Sequence, residues 1–128
     1  MKIKTMSETL TILVVDDDPS MANSLADILD VKGFKVHAAY CGAEALEVLR
    51  DHPVDVMLAD VIMPDMNGVE LHRATRKTHP DLCTFIMTGY SADAIIQEGM
   101  ADGIKAVFIK PVDIDLMVSI FSAVKRES

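Results

Sequence analysis

The sequence predicts an α/β domain: a doubly wound, five-stranded parallel sheet with helices on both faces. Three observations predict it. Short apolar runs alternate with longer amphipathic stretches five times along the chain, the rhythm of strands joined by crossover helices. Most of the runs are apolar nearly throughout, as strands covered on both faces are. Turn and capping residues stand where each amphipathic stretch has to begin or end.

The elements follow in order. The first run, Ile12-Leu13-Val14-Val15, is continuously apolar. Asp18-Pro19 then places a capping carboxylate before a proline at the first helical position. Met21, Leu25, Ile28 and Leu29 form the apolar stripe of that helix, and Gly33 closes it. The second run, Phe34-Lys35-Val36-His37-Ala38, alternates and reads as an edge strand. Cys41 stands where the second helix wants a cap and is a poor one. The third run is Val54-Asp55-Val56-Met57-Leu58-Ala59, followed by a helix over about Gly68 to Thr78 with a thin stripe of Val69, Leu71 and Ala74. The fourth run, Cys83-Thr84-Phe85-Ile86-Met87, precedes a helix that Ser91 can cap. The fifth, Ala106-Val107-Phe108-Ile109, is again nearly continuous, and Asp113 caps a last helix striped by Leu116, Ile120, Phe121 and Val124.

Bulk properties bound the function. A chain of 128 residues, half of them hydrophobic, suffices for one core. Residues 1–9 read as a loose, flexible tail and residues 10–128 as the folded domain. With 20 acidic against 12 basic side chains the formal charge is -8, which repels a phosphate backbone and argues against nucleic-acid binding. Cys41 and Cys83 lack both a disulfide framework and zinc spacing, so a reducing, cytoplasmic compartment is expected. No stretch approaches the roughly 20 apolar residues of a membrane span, and the N-terminus lacks the apolar core of a signal peptide.

In a doubly wound sheet the reactive groups gather beyond the carboxyl ends of the strands. There the sequence sets Asp16-Asp17-Asp18 after the first run, Asp60 after the third, Thr88-Gly89 after the fourth and Lys110-Pro111 after the fifth. Three converging carboxylates are most simply stabilised by a hard divalent cation, and Mg²⁺ leaves room for phosphate oxygens in its shell. A carboxylate can also be the nucleophile in phosphoryl transfer. Lys110 then supplies a cation, Thr88 a hydroxyl donor, and Gly89 a position without a side chain to block approach.

Val14-Val15-Asp16-Asp17-Asp18-Pro19, Asp60 with Met63-Pro64 and Gly68, Met87-Thr88-Gly89 and Ile109-Lys110-Pro111 resemble the response-regulator receiver domain of two-component phosphorelays. The resemblance spans roughly residues 10 to 126 and implies a flavodoxin-like (βα)5 fold. It implies that Asp60 accepts a phosphoryl group from the phosphohistidine of a histidine kinase or a histidine phosphotransfer protein. It also implies that Asp17, Asp60 and the backbone carbonyl of Ile62 bind Mg²⁺, with Asp16 assisting, and that Thr88 and Lys110 hold the phosphoryl oxygens. The Lys110-Pro111 bond is expected cis. Such a protein is a signalling switch whose only catalysis is its own phosphorylation and dephosphorylation. Its partner surface, or a homodimer surface, is expected on the fourth helix, fifth strand and fifth helix.

One departure is Val107, where the family usually carries an aromatic that reports phosphorylation. Strand alternation sends Phe108 to the opposite face, so Tyr90 is the nearest substitute. Asp18 is read as a helix cap only. The four histidines, His37, His52, His72 and His79, lack metal-ligand spacing and read as surface residues. Most of the methionines read as core.

Other functions compete. A Mg²⁺-dependent phosphatase of the haloacid dehalogenase kind would use Asp16 on the first strand as nucleophile, but no segment is left for a substrate-capping subdomain. A flavin carrier needs a hydroxyl- and glycine-rich phosphate loop where Asp16-Asp17-Asp18 stands. A receiver fold used only as an interaction module would have no need of the acidic set and Lys110.

Overall fold

A computed structural model describes residues 9–89 and 93–124. The expected N-terminal tail up to residue 8, the Ser91 cap and the role considered for Tyr90 lie outside the described residues. The elements alternate strictly: β1 (Thr11–Val15), α1 (Pro19–Val31), β2 (Lys35–Ala39), α2 (Gly42–Asp51), β3 (Val56–Asp60), α3 (Gly68–Thr75), β4 (Cys83–Thr88), α4 (Asp93–Ala101), β5 (Ala106–Ile109) and α5 (Ile114–Ser122). All strands are parallel in the order β2-β1-β3-β4-β5. The chain therefore winds outward from β1 in both directions, and the order reverses between β1 and β3, which is where such sheets open a crevice at their carboxyl edge.

Strand alternation divides the core. Ile12, Val14, Val56, Leu58, Phe85 and Met87 face α1 and α5, where they meet Leu25, Leu29, Met117 and Phe121. Leu13, Val15, Met57 and Ala59 face the other way, onto Ala45 and Leu49 of α2 and Leu71 of α3. Beside them Val61, Val69, Ile86 and Ile104 form a third cluster that receives Ile95, Ile96 and Val107. Phe108 packs on the α1/α5 side and Val107 on the α4 side, so the two residues point apart as alternation requires.

The capping expectations hold where they can be seen. Asp18 accepts from Ser20 N and Met21 N, and Asp113 accepts from Leu116 N. Gly33 ends α1 with a φ of 104°, a conformation L side chains rarely adopt. Cys41 makes no side-chain cap bond. Neither cysteine is in a disulfide.

Five expectations are corrected. The fifth run, read as covered on both sides, is the second edge of the sheet, and Ile109 is 57% exposed. Among the described residues nothing pairs beyond it, so continuous apolarity marked a partly bare surface. In α1 the buried face is Ala22, Leu25 and Leu29, while Met21 and Ile28 are exposed. In α5 Met117 and Phe121 are buried and Leu116 is exposed. The third helix stops at Thr75, and it buries His72 and Thr75 while Ala74 faces out. His72 is buried because both ring nitrogens have partners: Nε2 donates to the Asp102 carbonyl at 2.8 Å and Nδ1 accepts from the Thr84 hydroxyl at 2.9 Å. Among the described residues, no helix is long and apolar enough to cross a membrane.

Candidate functional site

Five parallel strands deliver their carboxyl ends to one edge of the sheet. Asp16 follows β1, Asp60 is the last residue of β3, Thr88 is the last of β4, and Lys110 follows β5. The Asp16 N–H donates to the Ala39 carbonyl at 3.1 Å, which extends the β1–β2 ladder into the site. The Lys110 N–H donates to the Thr88 carbonyl at 2.7 Å, and the Lys110-Pro111 peptide is cis.

The side chains meet across the crevice. Lys110 Nζ donates to Asp60 Oδ2 at 2.9 Å and to Asp16 Oδ2 at 3.1 Å. The remaining oxygens are held by backbone amides: Asp16 Oδ1 accepts from Asp18 N at 3.0 Å and Asp60 Oδ1 from Ile62 N at 3.2 Å. The side chains of Asp16 and Asp60 are only 3% and 12% exposed, and that of Lys110 is 21% exposed. Burial therefore pushes the Asp60 carboxyl above its ordinary value, although the hydrogen bonds from Lys110 and Ile62 pull the other way. For Lys110, burial works against the charge but the bonds to Asp60 and Asp16 outweigh it, so its pKa is raised and it remains an ammonium.

Asp17 is exposed and completes the acidic group. Oxygens of Asp16, Asp17 and Asp60 lie within 4.8 Å of one another. Opposite ligands of an octahedral Mg²⁺ stand about 4.2 Å apart, so a small contraction lets this donor set fit a hard cation, and all the donors are oxygens. Asp16, Asp17, Asp60 and Lys110 are thus brought together as expected. Thr88 is buried at the end of the neighbouring strand, and Ile62 is the half-exposed residue two beyond Asp60. Among the described residues, a Cβ on Gly89 would meet nothing within 4 Å.

The β3–α3 loop contains contacts that were not expected from the sequence. Gly68 packs so tightly on β3 that a Cβ would stand 2.7 Å from the Asp60 carbonyl. Asn67 and Glu70 form a reciprocal capping box at the start of α3, which was legible as Asn-x-x-Glu before an apolar residue. Asp65 accepts from Gly42 N and Ala43 N, both at 3.1 Å. It therefore caps α2 from 22 and 23 residues away in sequence. No local motif marks a cap of that kind, and the weak Cys41 was its only trace.

Beside the acidic group runs an apolar groove of about 240 Å³ between α1 and the loop after β5. Met21, Leu25, Ile28, Met87, Pro111 and Ile114 line it, with Asp16 and Lys110 at its edge. This explains the exposure of Met21 and Ile28: they form the wall of a groove that opens onto the charged site.

Comparisons with known proteins agree with this geometry. The family model "Response regulator receiver domain" matches residues 12–122. The sensor kinase CckA of Brucella abortus is 36% identical over 112 residues, a match that covers 86% of this chain and 12% of that protein. The response regulator receiver protein CpdR of the same organism is 35% identical over 78% of this chain and 83% of its own length. The chain thus spans about an eighth of CckA, and 24% of the transcriptional regulators it resembles. A CheY-like receiver domain from Methanospirillum hungatei superposes with a TM-score of 0.83 at 30% identity, covering 91% of this chain and 94% of that one. The strand order, the lysine bridging two carboxylates at the carboxyl edge, and the family match over most of the chain have one common explanation: this chain belongs to the response regulator receiver domain family.

Proposed function

We propose that Asp60 is the phosphoacceptor of a two-component signalling switch, with Lys110 and Thr88 holding the phosphoryl oxygens and Asp16, Asp17, Asp60 and the Ile62 carbonyl binding Mg²⁺. The observation that carries this reading is the bridge from Lys110 Nζ to both Asp60 and Asp16. It sets one partly buried cation beside the carboxylate that must become an acyl phosphate, and beside the acidic pair that can hold a second cation. When bound, Mg²⁺ supplies charge neutralisation of the phosphoryl oxygens and of the crowded carboxylates.

The remaining work falls to the chain. Asp60 must be ionised to attack. Burial raises its pKa, and the hydrogen bond from Lys110 offsets this by favouring the carboxylate form. A carboxylate oxygen of Asp60 attacks phosphorus while the bond from phosphorus to the histidine nitrogen of the donor breaks. The imidazole leaves neutral once a proton has been taken up, and the product is an acyl phosphate. Lys110 can then exchange its carboxylate contact for a phosphoryl oxygen without leaving the crevice. Hydrolysis by water returns Asp60, so the only chemistry catalysed is directed at the domain itself.

Receiver domains exchange phosphate with histidine kinases or phosphotransfer proteins, and the apolar groove along α1 supports such a donor docking next to Asp60. Exposed Ile109 and Leu116, on β5 and α5, support a second surface for an output partner or a second copy. A cytoplasmic location belongs to the same reading. The phosphatase alternative puts the nucleophile on the first strand, at Asp16, so there Asp16→Asn rather than Asp60→Asn would abolish the chemistry.

The test is intact-mass analysis after incubation with a small acyl phosphodonor and Mg²⁺. One phosphoryl adduct is expected, dependent on Mg²⁺ and absent from Asp60→Asn. An adduct of the same yield in Asp60→Asn removes Asp60 from the role.

A further inference from the structure

The β3–α3 loop leaves Asp60 and must return to α3 while presenting the Ile62 backbone to the acidic group. Its two ends are pinned. Val61 N donates to the Met87 carbonyl at 2.9 Å and Gly68 N to the Val61 carbonyl at 3.0 Å, while the Asn67–Glu70 box fixes the start of α3. Between those ends, Asp65 reaches a different element. Its two oxygens accept separately from Gly42 N and Ala43 N, and Oδ1 also accepts from Met66 N at 2.9 Å. The Met66 side chain lies on Gly42 so closely that a Cβ there would stand 2.5 Å from Met66 Cγ.

The contact is reciprocal in its effect. Helix α2 lacks a cap of its own, since Cys41 makes no side-chain bond, so two amides at the positive end of its dipole would otherwise be left to water. Those same amides, carried on a helix packed against β1 and β3 through Ala45 and Leu49, are a rigid anchor for the loop. We propose that Asp65 is a positioning residue of the phosphoacceptor site: by binding the first amides of α2 it holds the β3–α3 loop, and with it the Ile62 carbonyl, in the conformation that binds the divalent cation. The hydrogen bond from Gly42, with those from Ala43 and Met66, holds the Asp65 carboxyl below its ordinary pKa, so the anchor is charged at neutral pH. The inference rests on the reading of Asp60 and its neighbours as the Mg²⁺ and phosphoryl site.

The experiment compares the full chain with Asp65→Ala, and with Asp65→Ala combined with Cys41→Ser. Cys41 already has the extended backbone of a cap (φ -161°, ψ 171°), so serine there returns a cap to α2 without returning the loop anchor. Mg²⁺ affinity is measured by calorimetry well below the melting temperature, where circular dichroism shows each variant folded. Amide exchange at Gly42 and Ala43 is followed in parallel. The expected result is a rise in the Mg²⁺ Kd on the order of tenfold in Asp65→Ala, as for loss of residues that orient metal ligands. Faster exchange at both amides should accompany it. In the double variant exchange slows again at Ala43, the second helical amide that a serine cap can reach, while the Kd stays raised.

A Kd within about twofold of wild type in Asp65→Ala overturns the proposal, because supporting residues of this kind contribute far more. Return of the Kd to wild type in the double variant overturns it too, since Asp65 would then be a helix cap alone. If Asp65→Ala alone does not fold, the double variant, whose α2 has a cap restored but whose loop anchor is absent, takes its place, and a Kd within about twofold of wild type there overturns the proposal. Failure of the parent reading looks different: wild type itself would then bind no Mg²⁺ or form its adduct away from Asp60.

Discussion

Lys110→Met removes a side chain that touches both buried carboxylates while keeping most of its volume. Its effect on the domain without divalent cation can be worked from the geometry. Breaking a fully buried ion pair costs about 3–5 kcal/mol because a charge is stranded, whereas an exposed pair contributes about 0–1 kcal/mol. Asp16 and Asp60 are nearly buried, but Lys110 is 21% exposed, so water screens part of the interaction. A loss of about 2 kcal/mol at pH 7 follows, or about 8 °C in Tm for a domain of this size.

The sign of the pH dependence can be stated. The Asp60 carboxyl has its pKa raised by burial, so ionising it costs the folded state more than the unfolded chain. That penalty is absent below the unfolded value, 3.8, and complete above the raised folded value. Lys110 offsets it, so its removal raises the Asp60 pKa further. The deficit of Lys110→Met is therefore largest at neutral pH and shrinks as the pH falls through the folded Asp60 value toward 3.8. Added Mg²⁺ should recover much of the loss, because a second cation then serves the same carboxylates. The measurement is urea unfolding of wild type and variant at several pH values, with and without Mg²⁺. A deficit below about 0.5 kcal/mol at pH 7, the level of an exposed pair, contradicts the account. So does a deficit that does not shrink on acidification.

Three further outcomes follow from the packing. Gly68→Ala should destabilise the domain by about 1–3 kcal/mol despite the better helix propensity of alanine, because the new Cβ meets the Asp60 carbonyl and neither backbone can yield. Denaturant midpoints check this, and a neutral or stabilising effect contradicts the close approach. His72→Leu should cost about 2–4 kcal/mol by leaving the Thr84 hydroxyl and the Asp102 carbonyl without their partner. Arg73→Ala, on the exposed bridge to Glu98 and Asp102, should cost under about 1 kcal/mol. Equal losses from the two, measured by thermal unfolding, would contradict the difference in burial.

Much of this molecule is legible in one dimension because its determinants are local. Apolar runs at strand length, amphipathic stretches between them, and Asp18, Gly33 and Asp113 at helix ends state the alternation of elements. In a parallel sheet that alternation alone sends every strand end to the same edge, so Asp16, Asp60, Thr88 and Lys110 could be grouped before any coordinates were known. The alternating second run marked an edge for the same local reason, that one face of it meets water.

What depended on the third dimension was which surfaces meet. An amphipathic stripe tells which residues are apolar but not how wide the opposing surface is. Met21, Ile28 and Leu116 match the stripe and stay exposed because the sheet ends or a groove opens beneath them. His72 looked like a surface residue until Thr84 and the Asp102 carbonyl, from β4 and the end of α4, supplied partners that make its burial tolerable. Asp65 caps a helix that begins 23 residues before it. Periodicity and capping act within a few residues along the chain, whereas burial, pairing and shared charge depend on elements that only folding makes adjacent.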